Sequence, residues 1–220
     1  VGWVLAVVLV TFGCSAGRPD PDAIARSVAR LGGTACLRPI LAGAVVVGDG
    51  RVLTVAHAVA GADADLAIFT SSGLEYPARV VGFDPEGDLA LLEVDGLDAP
   101  SLPLGSAKAG DVGVIASVSG ELELNLIEYR VARIVVAQSG DIYDQGRVER
   151  TVLEIEAEVG PGVSGAALVD GDGAIVGIVF AESTESPGAA YALDASEIVA
   201  FLEAVDSGEF PAAVAHGRCR

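Results

Sequence analysis

Methionine is absent from the 220 residues, even from position 1, where Val1 stands. The sequence is therefore expected either to start from an alternative codon or to be truncated ahead of Val1. Positive charge is scarce: 13 Lys and Arg face 31 Asp and Glu, and the net charge of −18 at pH 7 repels phosphate backbones and anionic headgroups. Nucleic acid is excluded as an expected partner. The apolar run Val1 to Gly13 (VGWVLAVVLVTFG) falls short of the roughly 20 residues that a membrane-spanning helix needs. There is no internal repeat, Gly-rich phosphate loop or low-complexity tract, which removes nucleotide-binding enzymes. What is present is apolar: 51% hydrophobic against 20% charged residues is the composition of a chain that folds, as one compact unit or two small ones.

Residues 1–17 read as a signal-like or membrane-anchor segment, although no positive residues precede the apolar run. Export to the cell envelope is expected, as a membrane-anchored, periplasmic or extracellular protein whose membrane contact is confined to this segment. Cys14 follows a small residue, the setting of a lipid-accepting cysteine, although Thr11 stands where that motif normally has Leu. The alternative is a free thiol at the end of a membrane segment. Cys36 and Cys219 have the look of a staple. In an oxidising compartment a bridge across their 183-residue separation stabilises by about 4 to 5 kcal/mol in the loop-entropy account. The competing reading takes Cys36, His216 and Cys219 as zinc ligands, but no fourth Cys or His remains to close the site, and no metal is expected.

Residues 18–35 form a polar, Pro-punctuated linker and a short helix, with Ile24, Val28 and Leu31 at helical spacing. From Cys36 the pattern changes to short runs rich in Val, Ile and Leu between Gly and Asp turns: 41–47, 51–56, 65–69, 78–83 and 89–94. After a Pro-containing link at 99–105 it restarts with 111–118, 124–137, 148–159, 166–169, 174–180 and 189–193. No long helix intervenes, which argues against a parallel sheet. The expected fold is all-β: two stacked six-stranded antiparallel β-barrels, residues 36–104 and 105–220. Asp194 caps a final amphipathic helix with Ile198, Phe201, Leu202 and Val205 as its buried stripe.

Two histidines make the search for a general base short. His57, in Thr54-Val55-Ala56-His57-Ala58-Val59, sits where a buried strand ends and the chain turns, so its imidazole can face a cleft. Asp88 heads the apolar run Leu89 to Leu92. An unpaired carboxylate there is disfavoured by several kcal/mol, and an imidazole N–H is a suitable partner; the plainer reading is a turn aspartate beside Pro85 to Gly87. Ser164, in Gly160-Pro161-Gly162-Val163-Ser164-Gly165-Ala166, is exposed by a tight glycine loop whose Gly162 and Ser164 N–H groups can hold an oxyanion. The plainer reading is a hairpin turn. His216 and the acids Glu121, Glu123 and Glu128 read as solvated.

The order His57, Asp88, Ser164, spread over two barrels, resembles the chymotrypsin-like (trypsin-like) serine proteases. The resemblance implies that Ser164 attacks a scissile carbonyl, His57 takes and returns the proton and Asp88 orients the imidazole. Gly162 and Ser164 N–H would form the oxyanion hole. A narrower resemblance, to the MarP-type membrane-anchored periplasmic serine proteases, spans roughly Leu31 to Arg220. It rests on Gly43, on Thr54 to Val59, on Asp84-Pro85 before Gly87-Asp88, on Ser139-Gly140-Asp141-Ile142-Tyr143 and on Gly177 to Phe180. The cysteine pair at both ends completes it, and that family bridges Cys36 to Cys219.

The family topology implies that Phe180, Ala181 and Glu182 lie beside the substrate main chain, and that Glu158 stands where a relative selects basic side chains. Relatives usually carry an acidic or amide residue just before the serine and Gly-Pro after the following glycine. Val163, Ala166 and Ala167 stand here instead, so packing and the ring of Pro161 must hold the loop. The expected function is a serine endopeptidase that acts on protein or peptide substrates through an acyl-enzyme and needs no cofactor. The rival is an inactive protease-like scaffold binding a peptide or envelope partner, and a third reading is an esterase on the same triad.

Overall fold

A computed structural model describes residues 19–183, 186–210 and 217–219. The expectations placed on Val1 to Gly13, Cys14 and His216 lie outside the described residues. Among the described residues no helix is long and apolar enough to cross a membrane.

Asp20 caps the first helix, α1 (Pro21–Ser27), by accepting the Asp22 N–H, and Pro21 opens it with its φ already helical. The helix is shorter than its spacing suggested. Val28 is already extended, and Val28–Ala35 forms strand β1, so the first barrel begins at Val28 and not at Cys36. Ile24 and Val28 serve both periods, and Leu31 is buried by the strand instead.

The first barrel continues with β2 (Arg38–Gly48), β3 (Arg51–Thr54), the one-turn helix α2 (Ala56–Val59), β4 (Ala67–Thr70), β5 (Glu75–Asp84) and β6 (Leu89–Val94). Its order is β1-β2-β3-β6-β5-β4, closed by β4 on β1. The second barrel contains β7 (Val112–Val118), β8 (Leu124–Ser139), β9 (Val148–Glu156), β10 (Ala167–Asp170), β11 (Ile175–Glu182) and β12 (Ala189–Asp194). It runs β10-β11-β12-β9-β8-β7 and closes through β10 on β7. The last helix, α3 (Ala195–Asp206), is capped by Asp194 as its sequence indicates.

Period-two alternation fills each barrel, and the outward faces explain the seam between them. On β3 and β6, Val52, Ala90 and Leu92 point into the first barrel. Leu53, Leu89 and Leu91 point out, yet they are equally buried, because they share a core with Ala167, Val169 and Ile178 of the second barrel and with Ile198 and Phe201 that follow it. A strand buried on both faces cannot alternate in hydropathy, and that is why Leu89-Ala90-Leu91-Leu92 reads as a continuous apolar run. Each large aliphatic chain buried there is worth roughly 1.5 to 3 kcal/mol. Helix α3 follows the second barrel in sequence but also lies on the first: a Cβ at Gly82 of β5 would stand 2.6 Å from Val205 and 3.2 Å from Phe201.

Candidate active site

His57 lies in α2, immediately after β3, so a closed-barrel strand fixes its backbone. The Asp88 carboxylate meets it twice over. Oδ1 accepts the His57 main-chain N–H at 2.9 Å, and Nδ1 of the ring lies 2.8 Å from Oδ2 and 3.1 Å from Oδ1. The Asp88 carbonyl in turn accepts the Ala56 N–H at 3.2 Å. Since an ionised carboxylate only accepts, the proton of a neutral imidazole sits on Nδ1, and Nε2 carries the lone pair.

Asp88 is 4% exposed, so its partners stand in for the water it gives up. It reaches this place through a left-handed backbone, φ +57°, which Asp tolerates better than most residues. The preceding turn is shaped by Asp84, whose Oδ1 accepts the Glu86 N–H at 2.9 Å. A Cβ at Gly87 would lie 2.2 Å from Asp84 Oδ2, so any larger residue there must displace the Asp84 carboxylate that shapes the turn.

Ser164 is half-buried and lines, with His57, a cleft of about 250 Å³ walled by Ala35, Arg38 to Ala42 and Ala58. Among the described residues its hydroxyl makes no hydrogen bond, to His57 or to any other group. The structure therefore joins Asp88 to His57 and brings Ser164 into the same cleft without closing the last contact, a spacing that free hydrolases often show.

Two consecutive turns build the serine loop. In the first, Val163 N–H returns to Gly160 O at 3.4 Å, with Pro161 second and Gly162 third at φ +87°, the type II arrangement. In the second, Ala166 N–H returns to Val163 O at 2.9 Å around Gly165 at φ +85°. Val163 and Gly165 use their N–H groups inside the protein, the latter on Val179 O at 2.7 Å. Those of Gly162 and Ser164 have no acceptor among the described residues. Two donors unused by the described residues thus stand at the serine, its own N–H and that of Gly162. Val163 itself is buried in the core of the second barrel, and this packing stands in for the polar contacts that a valine cannot make.

Glycines also bring this loop to the first barrel. Gly43 N–H donates to Ser164 O at 2.7 Å, and Gly43 O accepts Thr54 Oγ1 at 2.8 Å. A Cβ at Gly43 would lie 2.5 Å from Ala166 N, and one at Gly165 would lie 2.1 Å from Gly43 O.

Phe180, Ala181 and Glu182 end β11. β12 pairs them on one side, with a bulge at Phe180. On the other side β10 stops at Ala167, opposite Ile178, and the serine loop pairs only as far as Val179, so among the described residues no strand pairs that edge of Phe180 to Glu182. Glu158 is exposed and has no bonded partner among the described residues. Cys36 and Cys219 form a disulfide, with Cα atoms 5.7 Å apart, which removes both sulfurs from any zinc site. Sequence reasoning missed Arg150, a buried cation on β9. Its only signal was an inward position in the alternation Arg150, Val152.

The sequence matches no curated protein. Among solved structures, the active form of the Rv3671c (MarP) protease from M. tuberculosis is similar at a TM-score of 0.82 and 28% identity over 99% of both chains. Its inactive form gives 0.72 and 29% over 86% of this chain and 98% of that one. The HtrA-type protease AlgW with a tripeptide gives 0.73 and 27%, covering 87% of this chain and 65% of AlgW. The family model of the trypsin-like peptidase domain matches residues 42–178, a span holding all three candidate residues, and the chain belongs to that family.

Proposed function

We propose that this protein is an exported serine endopeptidase in which Ser164 is the nucleophile, His57 the general base and acid and Asp88 the orienting carboxylate. The observation that carries the reading is the carboxylate grip on Nδ1, which leaves Nε2 as the basic atom in the cleft that Ser164 lines.

In the reading's chemistry, Nε2 takes the Ser164 proton as Oγ bonds to the scissile carbonyl carbon. The imidazolium formed is stabilised by Asp88, and the oxyanion settles between the N–H groups of Gly162 and Ser164. Nε2 then protonates the leaving amine and the C–N bond breaks. Water, deprotonated by the same nitrogen, hydrolyses the acyl-enzyme. The open edge at Phe180 to Glu182 suits a substrate main chain added as a strand, and the tripeptide on AlgW is in keeping with a peptide ligand. The disulfide accords with an oxidising compartment.

A fluorophosphonate probe tests the assignment. Wild type should label stoichiometrically, and Ser164→Ala should not label. Labelling that survives Ser164→Ala, or is absent from folded wild type, overturns it. Peptide affinity indifferent to both Ser164→Ala and His57→Ala would mark a binding scaffold instead.

A further inference from the structure

Asp88 and Arg150 are the two charged side chains buried among the described residues, at 4% and 7% exposure, and both hold on to one turn. Arg150 belongs to the second barrel, opposite Ala137 in the β8–β9 ladder. Among the described residues no carboxylate pairs with it. Its Nε donates to Glu86 O at 2.5 Å, Nη1 to Ser139 Oγ at 3.1 Å and Nη2 to Gly140 O at 3.2 Å. The neighbouring carbonyl, Pro85 O, is held from the same side by the Ile142 N–H at 3.1 Å, and Ile142 is buried against the core of the first barrel.

The second barrel therefore grips two carbonyls, Pro85 O and Glu86 O, of the turn that delivers Asp88 in its left-handed conformation. A guanidinium taken out of water without a counter-charge is expensive for stability alone, and apolar replacements of buried charges are often neutral or better. What three directed donors supply is a fixed geometry. On the reading of Asp88 as orienting carboxylate, we infer that Arg150 is a positioning residue: it locks the Pro85–Glu86 turn so that the Asp88 carboxylate meets His57 Nδ1.

The test compares Arg150→Met, which keeps the apolar stem, with Arg150→Lys, which keeps one charge-assisted donor. Each is read by kcat and KM on a peptide substrate and by the downfield proton resonance of His57 Nδ1–H. In folded Arg150→Met, kcat falls roughly 10- to 100-fold, the effect of a displacement of about 1 Å, while KM stays within about twofold. The resonance broadens, and Arg150→Lys recovers part of both. A merely structural role lowers stability and leaves kcat per folded molecule and the resonance unchanged, which overturns the inference.

If Arg150→Met does not unfold cooperatively, Arg150→Lys decides alone: a broadened resonance with reduced kcat supports the role, and unchanged values refute it. The resonance is also recorded in Ser164→Ala protein with and without Arg150→Met. The positioning role is thus scored even where serine chemistry fails, a failure that shows separately as absent probe labelling of wild type.

Discussion

Gly43→Ala tests whether the seam between the barrels sets the serine loop. The added Cβ would stand 2.5 Å from Ala166 N and 2.8 Å from Ala166 Cα, where ordinary contact begins at 3.4 Å. The loop must therefore back away by about 1 Å, because both neighbours are main chain and neither can rotate aside. That strain is worth about 1 to 3 kcal/mol, and weakening the Gly43 N–H to Ser164 O bond adds about 1 kcal/mol. For a chain of this size the total of about 2 to 4 kcal/mol lowers Tm by roughly 5 to 15 °C. Such a chain remains folded at 25 °C, so activity can be read. A shift of about 1 Å in the nucleophile costs on the order of 100-fold in kcat/KM. Steady-state hydrolysis and probe-labelling rate, each normalised to folded protein, measure the loss. Gly120→Ala, with no atom within 4 Å of the new Cβ, is the silent control. Gly43→Ala protein with kcat/KM within about threefold of wild type would refute the claim that close main-chain approach positions Ser164.

Paired replacement Cys36→Ser with Cys219→Ser is expected to lower stability by about 4 to 5 kcal/mol in the loop-entropy account, read as a shift in denaturant midpoint that reductant reproduces in wild type. An unshifted midpoint would show that the denatured chain is not constrained by the bridge. The buried Tyr129 hydroxyl has no hydrogen-bond partner among the described residues, and burial pushes its pKa above the ordinary tyrosine value near 10, with Asp170 and Asp111 adding to the shift. The folded state then keeps a proton that the unfolded chain releases, so stability is full below pH 10 and falls as the pH rises beyond it. In Tyr129→Phe that alkaline fall should flatten, with stability at pH 7 equal or higher; an unchanged slope between pH 10 and 12 in urea titrations rules out Tyr129 as its source.

Much of this architecture could be read from the order of residues. The strands of both barrels announced themselves through short branched-aliphatic runs between turns, and Asp194 marked the start of α3 correctly. The sixth strand of the first barrel was hidden, because Ile24, Val28 and Leu31 satisfy helical spacing while Gly32 and Gly33, which end any helix there, come only afterwards. Gly43 enters the sequence reading only as one of the positions that carry the resemblance, and its physical reason is the proximity of Ala166. The expense of burying a lone carboxylate makes an imidazole a suitable partner for Asp88, but a turn aspartate is the plainer reading of that residue alone, and only the resemblance implies the pairing with His57. Arg150 escaped notice because a cation in a strand is ordinarily placed outside. Its acceptors, a carbonyl of the 84–88 turn and two groups at 139–140, come from distant segments, and no local pattern encodes that convergence.

The packing of α3 has a consequence for biosynthesis. Helix α3, made after both barrels, covers β5, whose Gly82 leaves room for Phe201 and Val205, and Cys219 then fastens the hairpin between β1 and β2. On the ribosome, the earlier half of the molecule must wait with Leu53, Leu89 and Leu91 uncovered until the later half emerges. The two lobes therefore mature as one cooperative object, and a ribosome stalled before α3 would hold a sticky intermediate in place of a finished amino-terminal lobe.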